Sequence, residues 1–200
     1  MNPIADLKAD VLRTLFIYIV PGAIACLPLM CLLANVFDGA IDYADKHQSL
    51  AAVVLIVSFL SIGKLMDGLG TIWEVGVNDE KLAKKKEFPN FKQDWSRYIR
   101  SAFVHEPVAI GYIKNQTQTL KFELNVGVAF ATFAVCQIPL CWVLDHYSWK
   151  YAAVWMSSAL LLSAFAFRSS YDTSYVLASV RKWLEEGVLL KGTAEETAVN

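Results

Sequence analysis

The chain has 200 residues, of which 56% are apolar and only 18% charged, and its mean hydropathy is +0.39. That is too apolar for a soluble domain of this size, so lipid is the expected solvent for much of it. The formal net charge of −1 hides an uneven distribution of charge along the chain.

Four stretches are long enough to cross a hydrocarbon layer about 30 Å thick, which takes roughly 20 helical residues. They are Leu15–Phe37, Leu50–Leu69, Phe122–Leu144 and Trp149–Phe167. In lipid each is expected to be a helix, because an open strand leaves its amides and carbonyls without partners. These runs also lack the alternation of a closed barrel. The expected fold class is therefore all-α: a polytopic membrane protein with four transmembrane helices. Of the 18 Lys and Arg, only Lys46 and Lys150 fall in or beside the connections Asp38–Ser49 and Asp145–Ser148. The positive-inside rule then puts the N-terminus, the loop between spans two and three, and the C-terminal tail in the cytoplasm. The expected segments are 1–70, an N-terminal piece with the first hairpin of spans; 71–121, a cytoplasmic loop; 122–168, the second hairpin; and 169–200, a cytoplasmic helix and tail.

In chain order, Met1–Thr14 mixes Asp6 and Asp10 with Lys8 and Arg13, as a short amphipathic helix leading into the membrane would. The first apolar run is too long for a cleavable signal and reads as a retained anchor. It contains Pro21-Gly22 and Pro28. Each proline deletes a helical hydrogen bond, so a bend or break is expected here, lining a cavity or serving only packing.

Lys64 and Asp67 lie deep in span two, with Glu74 beyond them. A lysine there can snorkel outward, and an aspartate one turn on can pair with it. Glu123 and Asn125, at the start of span three, fall at the same depth. Lys64, Asp67, Glu74, Glu123 and Asn125 thus form a candidate intramembrane polar layer. The alternative is a ring of head-group contacts where the helices leave the membrane. Gly127 and Ala131 allow close helix approach, and Ser157, Ser158 and Ser163 can bond across helices. Trp142, Tyr147, Trp149 and Tyr151 cluster at the outer turn, where an aromatic belt belongs.

The central loop holds too many aromatics for a disordered linker. Phe91, Trp95, Ile99 and Ala102 recur at helical spacing among Lys92, Asp94, Arg97 and Arg100. A helix is expected there, ended by His105-Glu106-Pro107, with a second short helix over Pro107–Gln116. Together they would make a helical hairpin, with Trp95, Arg97, Tyr98 and Arg100 as candidate partner-binding residues. Lys84, Lys85 and Lys86 are the densest basic run and a candidate contact for anionic lipid head groups, with nucleic acid as the weaker reading. After Arg168 a helical stripe runs through Tyr171, Tyr175 and Trp183 to Gly187, with Trp183 a further candidate partner contact. The tail Lys191–Asn200 is expected to be disordered.

All four cysteines lie within spans one and three, so they read as small apolar residues and not as a disulfide framework or zinc site. Glycine-rich phosphate loops, His-Glu metal motifs and nucleophile elbows are missing, and the three histidines do not converge under this topology. No enzyme and no cofactor is expected. Two readings remain: a membrane scaffold or sensor that holds a soluble effector, and an oligomeric ion channel or membrane-permeabilising effector. The large aromatic loop favours the first.

The layout of Val20-Pro21-Gly22, the glycine-and-acid stretch Gly63 to Glu74, Trp95-x-x-Tyr98 and Lys121-Phe122-Glu123-Leu124-Asn125 looks like that of uncharacterised four-span bacterial membrane proteins. In size and span count the chain also resembles the membrane subunit of the Kiwa anti-phage defence system. That resemblance implies a homo-oligomer, a tetramer, in the bacterial inner membrane. It would sense phage attack and recruit a soluble DNA-binding partner subunit, with membrane lipids as its surroundings and no direct nucleic-acid contact. It implies no catalytic residue.

Overall fold

The computed structural model describes residues 3–37, 39–88, 91, 107–144 and 147–198. Helices are α1 (Pro3–Val36), α2 (Ala40–Lys46), α3 (Gln48–Trp73), α4 (Asp79–Ala83), α5 (Pro107–Val143) and α6 (Trp149–Ala198), with a π-helical turn Glu74–Asn78 between α3 and α4. There is no strand among the described residues. Four helices are long and apolar enough to cross a membrane, over Leu15–Val36, Gln48–Ala83, Gly111–Val143 and Trp149–Trp183.

Several elements differ from the sequence expectations. No break follows Pro21 or Pro28, and α1 is one helix that also takes in Pro3–Thr14. The first connection contains α2, entered through Gly39 at φ +83°, a left-handed conformation that a residue with a Cβ adopts only at a cost. Pro107 does start a helix, where its missing N–H costs nothing. The helix does not stop at Gln116, however, but runs on to Val143. Likewise α6 passes Gly187 and continues through most of the expected disordered tail to Ala198. One glycine costs a helix only about 1 kcal/mol and need not end it.

The chain forms two compact units, one of residues 1–72 and 121–169, the other of residues 73–120 and 170–200. In the first, α1 and α3 meet backbone to backbone. A Cβ on Gly22 would lie 1.8 Å from the Phe59 carbonyl oxygen, and one on Gly63 would lie 2.0 Å from that of Tyr18. Tyr18 opposite Gly63 and Gly22 opposite Phe59 make the two helices antiparallel. Close approach of this kind is how helices associate in lipid, where apolar surface alone provides little drive. A Cβ on Gly70 would lie 3.1 Å from Leu124 Cβ, and the space beside Gly127 is filled by the Phe167 ring at 3.1 Å. These contacts join α3 to α5 and α5 to α6. Ala25, Met66 and Ala129 close the centre, with Ile24, Ile62 and Val128 around them.

The second unit has a core of Leu82, Phe88 and Ala178, against which Phe91, Tyr171 and Tyr175 pack. Asn78, 1% exposed, leaves the π-helical turn to donate to Ser170 Oγ and Ser174 Oγ, each at 3.3 Å. Both serines lie on α6, so this bond and the Leu82 contact fix one face of α6 within the unit.

Candidate functional site

The polar groups of the first unit begin at Pro21. A proline at this position leaves the carbonyl four residues earlier, Ile17, without its helical donor. Asn125 of α5 supplies one, with Nδ2 donating to Ile17 O at 3.3 Å. This bond answers the carbonyl that Pro21 frees. A proline is tolerated in a span when a neighbouring helix satisfies the freed carbonyl. Asn125 is 1% exposed, and its Oδ1, beside Gly70, has no hydrogen-bond partner.

One turn away Lys64 Nζ donates to Asp67 Oδ2 at 2.6 Å and stands 5.1 Å from the centre of the Tyr18 ring. Asp67 Oδ1 faces Lys121 Nζ of α5 at 3.7 Å. The aspartate side chain is 7% exposed, while those of Lys64 and Lys121 are 67% and 42% exposed. Glu123 Oε1 accepts from Ser169 Oγ of α6 at 2.6 Å. Ser163 Oγ donates to the Gly127 carbonyl at 2.8 Å. Lys64, Asp67, Glu123 and Asn125 therefore all lie in the first unit, joined by Lys121, Tyr18 and Ser169. Glu74, in the π-helical turn, belongs to the second.

At the other end of the first unit, Trp142, Trp149 and Tyr151 are exposed. Tyr147 Oη donates to Gln137 Oε1 at 2.6 Å. Burial, with smaller contributions from Cys141 and Cys31, pushes the Tyr147 phenol above its usual range. The four cysteines are free thiols.

In the second unit the three lysines separate. Lys84 bonds Glu80 one turn back at 2.8 Å. Lys85 Nζ lies 4.3 Å from the Tyr175 ring centre and 5.5 Å from that of Tyr171, a cation–π cage. A hydrogen bond with Tyr171, aided by the charges of Tyr171, Tyr175 and Glu87 against some loss of hydration, holds the Lys85 ammonium above its usual range. Tyr175 Oη donates to Glu87 Oε2 at 2.8 Å, and Lys182 Nζ to Glu87 O at 3.2 Å. Lys86 is exposed. Trp183 is 72% exposed on α6. Trp95, Arg97, Tyr98 and Arg100, with the hairpin expected around them, lie outside the described residues.

No signal in the sequence singled out the Gly22–Gly63 crossing, the Asn125–Ile17 bond or the Lys121–Asp67 pair. All three join positions far apart in the chain. Among the described residues no group of His, Cys, Asp and Glu side chains could hold a metal ion. No protein-family model, no curated protein and no solved structure matches the chain.

Proposed function

We propose that the protein is an oligomeric inner-membrane scaffold or sensor that recruits a soluble cytoplasmic effector in anti-phage defence, with both termini and the second unit in the cytoplasm. The observation that carries this reading is that the second unit has a core of its own, built on Leu82, Phe88 and Ala178. A segment with its own packing is suited to present a surface, and Trp183, exposed on α6, is the kind of aromatic that anchors interfaces. The interior of the first unit weighs against a pore through a single chain. Its helices touch at Gly22, Gly63, Gly70 and Gly127, as in a filled four-helix core.

The test is purification from native membranes in mild detergent, with the mass of the complex measured. A soluble protein should co-purify in fixed stoichiometry, and Trp183→Ala should weaken that association while the oligomer of this chain persists. Trp95→Ala and Tyr98→Ala are expected to act in the same way. A monomeric chain, or co-purification unchanged in all three variants, would overturn the proposal. So would ion conductance of the purified protein in planar bilayers, which belongs to the channel reading.

A further inference from the structure

Among the described residues of the first unit, Asp67 is the carboxylate paired with both Lys64, at 2.6 Å, and Lys121, at 3.7 Å. The longer distance is an ion pair without a hydrogen bond, so the Lys121 ammonium is attracted to Asp67 while its N–H groups remain available. Glu123, the nearest carboxylate along α5, accepts from Ser169. Two ammoniums sharing one carboxylate make a cluster of charge +1 on adjacent helices, with lysine side chains 67% and 42% exposed.

The depth of this cluster suggests what would meet it. Lys121 precedes Val143, the end of α5, by about 33 Å of helix, the thickness of a hydrocarbon layer. Lys64 follows Leu50 by about 21 Å, and a lysine side chain can snorkel across much of the remainder. Measured from Leu50 and Val143 as outer ends, the two ammoniums come to the level at which phospholipid phosphates would lie. Tyr18, whose ring Lys64 overlies, suits the same interfacial level.

We propose that Lys64 and Lys121 form a binding site for the phosphodiester of an anionic phospholipid, with Asp67 holding the two ammoniums at the spacing that clamps it. A phosphodiester brings a single negative charge, which neutralises the cluster, and oxygens that accept from the Lys121 N–H groups. A zwitterionic lipid carries its own cation and leaves the cluster's charge uncompensated. The site rests on the chain spanning a bilayer and is independent of effector binding.

Native mass spectrometry of the full chain in mild detergent, with equal phosphatidylglycerol and phosphatidylcholine, tests this. The wild type should retain phosphatidylglycerol in preference. Lys121→Gln should reduce that retention about fivefold, whereas Lys121→Arg and Lys150→Gln, the latter at the other end of the unit, should preserve it. Equal retention of the two lipids by the wild type would overturn the proposal, and that comparison needs no variant to fold. Undiminished retention in Lys121→Gln, or an equal loss in Lys150→Gln, would also overturn it. So would displacement of the lipid by millimolar inorganic phosphate, which would mark a free-anion site. The lipid result and the effector result can fail separately, because neither assay contains the other's partner.

Discussion

The first and second units solve the same problem, the polar group inside a helical assembly, with different partners. In the first, Asn125 donates to the Ile17 carbonyl and Ser163 to that of Gly127, and glycines bring backbones into contact. In the second, Asn78 bonds two serine hydroxyls, and Lys85 faces two tyrosine rings beside the Glu87–Tyr175 bond. Backbone contact suits helices surrounded by lipid, where close approach and polar closure must replace hydrophobic drive. Aromatic and aliphatic burial around Leu82 and Phe88 suits a surface that meets water. The contrast is the one expected if each unit is stabilised for its own solvent, as the proposed topology requires.

The sharpest way to break that comparison is to thicken the backbone contact. Gly63→Ala and Gly22→Ala put a methyl group into a carbonyl oxygen of the facing helix, so each should cost about 3 kcal/mol or more. Thermal unfolding in detergent would show this. Gly68→Ala, with nothing within 4 Å of its new methyl group, should be neutral or stabilise by up to about 1 kcal/mol. Comparable losses at positions 63 and 68 would remove the backbone-contact account.

A smaller effect, about 2 kcal/mol, is expected from Asn125→Leu, which leaves the Ile17 carbonyl buried without a donor. Restoring the helical amide by Pro21→Ala should relieve much of that cost, so the two changes should be non-additive. Strict additivity would mean that Asn125 does not serve the carbonyl freed by Pro21. Tyr147→Phe, which removes the bond to Gln137, should cost about 1 kcal/mol. Because the Tyr147 phenol is held above its usual value of 10.0, its contribution is fully present below that pH. It is lost as pH rises through the raised value of the folded state. The alkaline limb of a stability profile should therefore flatten in Tyr147→Phe. The smallest effect is the Lys64–Asp67 coupling, about 0.5 kcal/mol in a double-mutant cycle, because Lys64 is largely exposed. No coupling at all would leave Asp67 to Lys121 alone.

Residue spacing makes some of this legible in the sequence. Apolar runs mark the four spans, and the separation of Lys64 from Asp67 is that of neighbours on one helix face. What spacing cannot carry is tertiary. Pro21 reads as a break until Asn125, 108 residues beyond Ile17 in the chain, is known to stand beside the Ile17 carbonyl. Gly22 and Gly63 read as features of their own helices until the crossing pairs them. Lys85 belongs to a basic run in sequence, yet two tyrosines from α6 surround it. The helical continuity of α5 and α6 has another reason, since Gln116 and Gly187 are weak stop signals and one glycine costs a helix only about 1 kcal/mol.

The central claim is that the second unit faces the cytoplasm while four helices hold the chain in the membrane. It is tested most directly by placing a single cysteine at Lys86 in a chain whose native cysteines are alanine, then adding a membrane-impermeant maleimide. Labelling only after the cells are permeabilised is the result this account predicts. Labelling of intact cells at that position would contradict it.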